Sequence, residues 1–216
     1  MATERNITRT LDDILADGVV LAVRMGPDAP LLEACRAAIL GGLRVIELTL
    51  TTPGALEVLS ILAREDGVIA GAGTVLSVDE VRAVAVAGGR FAMSPVYDPE
   101  VVDAAHRLDL LAIPGAASPT EILAAYRHGA RLVKVFPSGA LGGPAFLRAL
   151  RGPLPDVPLI PTSGPTAETL ADYLAAGANA VGVGAEVFPP GFDLAGVQSA
   201  ARKVRQAREA ARRDRH

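Results

Sequence analysis

Short runs of valine, isoleucine and leucine alternate with longer, alanine-rich amphipathic segments along almost the whole chain. The short runs have the length and composition of buried strands, and the longer segments carry the helical spacing of apolar positions. The pattern predicts a helix over residues 8–16, then strands near 19–24, 44–50, 68–74, 91–95, 110–114, 131–137, 158–163 and 180–184. Helices are expected between them over 31–40, 54–63, 78–87, 99–106, 120–128, 144–150 and 167–176, with a last one over 194–212. Several helices should end at glycine, at Gly41-Gly42, Gly88-Gly89, Gly129 and Gly177, where a left-handed cap needs no Cβ. Repeated strand-helix units imply a parallel sheet, and eight in this order point to an α/β fold, a (β/α)8 TIM barrel with an N-terminal helix. An open doubly wound sheet has the same alternation and stays an alternative, because periodicity does not encode closure. A length of 216 residues fits a single barrel domain over 1–216.

Alternation along a strand also sorts side chains by face. Val45, Glu47 and Thr49 share one face of the second strand, while Ile46, Leu48 and Leu50 form an apolar face suited to a helix layer. Glu47 should therefore point inward. In the sixth strand Leu132, Lys134 and Phe136 share a face, leaving Val133 and Val135 for the helices. A carboxylate and an amine thus enter one apolar interior, on strands whose C-terminal ends house the chemistry of barrel enzymes.

Lys134 is one of two lysines, the other being Lys203, and arginine supplies nearly every other positive charge. Burial among valines and a phenylalanine disfavours the ammonium form, and the free amine can attack a carbonyl, which a guanidinium cannot do. Two readings stand at this point. One is a Schiff-base lysine; the other is a lysine at a strand end whose methylenes lie along apolar surface while the amine reaches water. For Glu47 the corresponding alternatives are a proton shuttle and one half of a buried ion pair.

Composition removes other classes of function. The chain is 50% hydrophobic and 21% charged with a net charge of -3, and its three tyrosines and five phenylalanines form no stacking platform, so nucleic acid is not an expected partner. No apolar stretch approaches membrane-spanning length without Gly, Pro or a charge, and residues 1–6 lack an apolar core; no membrane partner is expected, and the expected location is cytoplasmic. Cys35 is the only cysteine and reads as a buried small hydrophobe. His106, His128 and His216 are scattered and make no metal signature.

Further pieces fall at predicted strand ends: Gly71-Ala-Gly-Thr74, Ser94-Pro95, Pro114-Gly115, Lys134-Val-Phe-Pro137, Pro161-Thr-Ser-Gly164 and Gly182-Val-Gly-Ala185. Taken in order with Glu47-Leu-Thr49, this set resembles the 2-keto-3-deoxy-6-phosphogluconate and 2-keto-3-deoxy-6-phosphogalactonate aldolase family over almost the whole chain. The resemblance implies a class I, Schiff-base aldolase that reversibly cleaves a 2-keto-3-deoxy-6-phospho sugar acid to pyruvate and glyceraldehyde 3-phosphate. It also implies a homotrimer that needs no metal or other cofactor. Lys134 would form the iminium at C2, and Glu47 would carry protons to and from the reacting atoms. Thr74 and the backbone about Pro95 match positions that hold the pyruvyl carboxylate, and Phe136 matches an aromatic wall of that pocket. Ser163-Gly164 and Gly184-Ala185 can aim backbone N–H groups at the phosphate, and Arg24 matches an arginine at an anionic end of the substrate.

The chain departs from the gluconate-type pattern in two places. It reads Glu47-Leu-Thr-Leu-Thr-Thr-Pro53 where such members commonly have an arginine shortly after the glutamate, so Arg24 is expected to meet the carboxylate. Gly184-Ala185-Glu186 replaces Gly-Gly-Ser and resembles the galactonate-type Gly-Ser-Asp; Glu186 would repel phosphate unless its side chain turns away. Pro137-Ser-Gly-Ala-Leu141 is also nearer the galactonate type, although C4 stereochemistry is not written in these residues. The competing readings are a 4-hydroxy-2-oxoglutarate aldolase on the same lysine, a phosphate-binding barrel isomerase or epimerase, and a non-catalytic metabolite-binding barrel.

Overall fold

The computed structural model describes residues 2–213. Its strands are β1 (Val19–Val23), β2 (Val45–Thr49), β3 (Ile69–Gly73), β4 (Phe91–Met93), β5 (Leu111–Ile113), β6 (Gly115–Ala116), β7 (Val133–Val135), β8 (Leu159–Pro161) and β9 (Val181–Val183). The helices are α1 (Ala2–Asp17), α2 (Leu31–Leu40), α3 (Ala55–Leu62), α4 (Val78–Val86), α5 (Pro99–Arg107), α6 (Pro119–Arg127), α7 (Pro144–Arg151), α8 (Leu170–Ala175) and α9 (Leu194–Arg213). The expected strand-helix order is therefore present, with the left-handed glycines at helix ends, as at Gly129 and Gly177 (φ 98° and 100°). The helix expected over 167–176 is shorter, because Thr166 and Thr169 exchange side-chain and backbone hydrogen bonds in a turn just before it.

All strand pairs are parallel, but the expected ring of eight is not one closed ladder. The order β5-β4-β3-β2-β1-β9 forms a six-stranded sheet, and β6-β7-β8 forms a second. The fifth expected strand, 110–114, appears as β5 and stops at Pro114, whose carbonyl accepts the Lys134 N–H at 2.8 Å while its nitrogen has no hydrogen to give back; pairing with β7 begins at Gly115, in the unexpected two-residue strand β6. At the other seam Asn179 donates its N–H to the Leu159 carbonyl at 2.9 Å, and its side-chain oxygen takes the Leu159 N–H, also at 2.9 Å. A side chain there replaces a ladder bond.

Buried apolar residues fall into two groups that follow the strand alternation. Val20, Val45, Ile69, Phe91, Leu111 and Leu132 lie inside with Ile7, Leu11 and Ile14 of α1, whereas Ile46, Leu48, Val133 and Val135 pack in the helix layer. The inner residues sit mostly at strand beginnings, so α1 covers the end opposite the strand C-termini, each buried aliphatic contributing about 1.5–3 kcal/mol. Arg90 reaches Asp13 at 2.6 Å and Arg131 reaches Thr8 at 2.6 Å, tying α1 to the strands above it. At the opposite end the chain enters α4 and α6 through capping boxes, Ser77 with Glu80 and Ser118 with Glu121, which order the loops after β3 and β6. Cys35 is buried in α2, and burial, with the nearby Glu65, pushes its thiol pKa up to about 12, as befits a packing residue. Among the described residues, no helix is long and apolar enough to cross a membrane.

Candidate active site

Glu47 in β2 and Lys134 in β7 both point inward, as the alternation requires. Lys134 Nζ lies 3.8 Å from Glu47 Oε1, with the side chains 8% and 2% exposed. The ammonium also sits 5.1 Å from the centre of the Phe136 ring, a favourable face for a cation. Burial raises the Glu47 pKa, and the positive charges of Lys134 and Arg24 oppose that shift without cancelling it. Burial that favours the protonated form lets one carboxyl act as proton donor in one step and acceptor in another. Its Oε2 is buried without a hydrogen-bond partner among the described residues, as is Thr162 Oγ1, and both residues line the same cavity.

Glu47 fits only because its neighbour in the next strand is glycine. A Cβ on Gly73 would stand 1.8 Å from Glu47 Oε1 and 2.7 Å from its Cγ, so the whole side chain would have to move. Gly73→Ala should leave a folded protein that has lost roughly a hundredfold in kcat, since an ångström of misplacement costs about that much. A steady-state assay beside a circular-dichroism melt checks this, and unimpaired turnover would show that the Glu47 position is not critical.

The cavity, of about 500 Å³, opens at the C-terminal ends of the strands. Arg24, Glu47, Lys134, Phe136, Ser163, Gly164, Gly184 and Ala185, all expected from the sequence, line it together. Arg24 donates to Thr51 Oγ1 at 2.5 Å and to Thr74 Oγ1 at 3.1 Å, so Thr74 reaches the site by holding an arginine. Thr74 and Ser163 both have positive φ, 60° and 57°. Side chains other than glycine rarely accept this conformation, which costs about 1–3 kcal/mol and is found where a site demands it. Pro95 is not among the residues lining the cavity; Gly115 packs against it so closely that a Cβ there would lie 2.3 Å from the Pro95 carbonyl. The backbone about Pro95, expected beside the substrate carboxylate, packs against β6.

Gly164 has a packing role besides its place in the lining. An added Cβ would meet the Tyr173 hydroxyl at 2.3 Å and Gly139 N at 2.7 Å, so enlarging it would disturb the loops after β7 and β8 as well as the cavity. Thr162 and Thr51 were not singled out from the sequence. Alternation from the inward Ile160 to residue 162 was the available signal for the first; nothing local marked the second. A larger hollow of about 960 Å³ lies at the other end of the molecule beside α1 and holds none of these residues. Among the described residues, no group of three or more His, Cys, Asp or Glu side chains could hold a metal ion.

A buried amine facing a carboxyl of raised pKa, at the open end of a parallel α/β sheet and beside a cavity sized for a small metabolite, defines an enzyme site suited to carbonyl chemistry. The family model described as KDPG and KHG aldolase matches residues 11–198. The chain belongs to the KDPG and KHG aldolase family, and is an aldolase, a carbon-carbon lyase. It is 38% identical over 170 residues to the 2-dehydro-3-deoxy-phosphogluconate aldolase of Pseudomonas aeruginosa, covering 78% of this chain and 77% of that one. Among solved structures, a native KDPGal structure superposes with a TM-score of 0.82 at 29% identity, covering 90% of this chain and 96% of the other. A KDPG aldolase from Legionella pneumophila, with pyruvate captured as a covalent carbinolamine, superposes with a TM-score of 0.76 at 29% identity, covering 94% and 97%.

Proposed function

We propose that this protein is a class I aldolase that cleaves a 2-keto-3-deoxy-6-phospho sugar acid, of gluconate or galactonate type, to pyruvate and glyceraldehyde 3-phosphate. The observation that carries the reading is the buried approach of Lys134 to Glu47 at the cavity. Lys134 Nζ attacks the C2 ketone, and Glu47 protonates the carbinolamine oxygen so that water leaves and an iminium remains. Glu47, now a carboxylate, takes the C4 hydroxyl proton; the C3-C4 bond breaks, its electrons flow into the iminium, and the aldehyde departs. Protonation of the enamine at C3 and hydrolysis of the pyruvyl imine return the free amine. Arg24, held by Thr51 and Thr74, is the cation available to the substrate carboxylate, Phe136 walls that side, and the backbone of Ser163, Gly164, Gly184 and Ala185 holds the phosphate.

The same reading takes the two sheets as one (β/α)8 domain whose hydrogen-bond ladder is interrupted at Pro114 and beside Asn179. It also includes a homotrimer: Leu76 and Val96, half-exposed on adjacent loops after β3 and β4, are apolar surface that a second copy would cover. Light scattering measures that mass directly. The substrate is tested by comparing kcat/KM for the gluconate- and galactonate-derived 6-phosphates with that for 4-hydroxy-2-oxoglutarate. A phosphorylated acid should lead by roughly tenfold or more, because only it reaches the backbone groups after β8 and β9. Equal values would point to the shorter keto acid.

A further inference from the structure

Glu186 faces the cavity beside Ser163, Gly164, Gly184 and Ala185, the segments assigned above to the phosphate. Its side chain has turned toward the loop after β8, where Oε1 and Oε2 accept the Ala167 N–H at 2.9 and 3.0 Å. The Ala167 N–H thus fixes the position of the carboxylate, while Glu186 remains part of the cavity wall. We propose that Glu186 is a specificity-determining residue, a carboxylate beside the phosphate subsite that weakens binding of a phosphate dianion relative to a neutral side chain at this position, and so narrows the lead of phosphorylated over less charged substrates. The inference rests on the proposed function.

The carboxylate and a phosphate held by those segments carry like charges, which repel in the partly desolvated cavity. Charges around Glu186 do not remove that repulsion. Lys203 of α9 is near but is already paired with Glu168 at 3.0 Å on the exposed surface, and Glu168 adds a negative charge of its own. The other charged residues lining the cavity are Arg24, Lys134 and Glu47. Burial raises the Glu186 pKa, opposed by the Ala167 N–H and Lys203 and assisted by Glu168. The penalty should consequently be absent when Glu186 is protonated and appear as pH rises through that raised value.

The test is KM for the phosphorylated aldol in wild type and Glu186→Gln from about pH 4.5 to about pH 8, spanning the ordinary carboxylate range and above it. Glutamine keeps an oxygen for the Ala167 N–H and removes only the charge, so the phosphate's own ionisation enters the ratio of the two KM values only through its repulsion by that charge, which grows as the phosphate becomes a dianion. That ratio, wild type over variant, should rise from near one to roughly fivefold or more at the upper end. With the unphosphorylated 2-keto-3-deoxy acid it should stay near one throughout. Glu186→Ser, which removes the charge with a smaller side chain, should reproduce the trend if the glutamine packs poorly. A flat or inverted ratio, or an equal effect on both substrates, in an enzyme that cleaves the aldol would overturn the inference alone. A wild-type protein that neither cleaves the aldol nor exchanges pyruvate methyl protons would overturn the proposed function and this inference with it.

Discussion

Pyruvate followed by borohydride is expected to add a reduced pyruvyl group to Lys134 and to end turnover. The amine is buried beside a carboxyl group and opens onto the cavity, so a ketone entering there meets a nucleophile with a proton carrier at hand. Lys203 is an internal control: it is exposed and bound to Glu168, with its pKa raised by that hydrogen bond and charge, so it has little free amine to offer. Peptide mass mapping should place the adduct on Lys134 and leave Lys203 unmodified. Lys134→Arg preserves a positive charge but removes the attacking amine, and should reduce kcat/KM by roughly a thousandfold or more. An adduct on Lys203 alone, or full turnover by the arginine variant, would end the covalent mechanism.

The second large effect is expected from Glu47→Gln. The amide has nearly the shape of the carboxyl and keeps its place against Gly73, but it cannot shuttle protons, so kcat should fall by roughly a hundredfold or more while the fold is kept. Pyruvate methyl-proton exchange should fall with it, because the same group delivers the proton to C3. Stability should move the other way with pH. A carboxyl whose folded pKa is raised contributes stability that is present below its unfolded pKa and lost as pH rises through the folded value. The amide has no such loss, so the urea midpoint of Glu47→Gln minus that of wild type should grow as pH rises above the ordinary carboxylate range. A pH-independent difference would mean that Glu47 does not carry the burial penalty assigned to it, and wild-type turnover would make it a structural residue.

Much of the site is legible one strand at a time. Side-chain direction in a strand repeats every second residue, so Glu47 is fixed as inward by Val45 and Thr49, and Lys134 by Leu132 and Phe136, before any partner strand is known. The unusual lysine and the ordered Gly- and Pro-containing strand ends carried the family resemblance in the same local way. Helix order and glycine caps are equally local, which is why they follow the expected plan.

Whatever depended on one strand end meeting another was decided only by the tertiary structure. The partners of Arg24 lie 27 and 50 residues away, and Thr51 gives no local sign that it will hold an arginine. The need for glycine at position 73 appears only when β3 is laid beside β2 with Gly73 opposite Thr49, bringing its Cα under the Glu47 carboxylate. The break in the sheet at Pro114, the packing of the Pro95 backbone against Gly115 and the capture of the Ala167 N–H by Glu186 arise in the same way. Periodicity specifies the face on which a residue lies. Register, loop path and the hydrogen bonds between distant groups specify what it meets there, and those are properties of the folded chain.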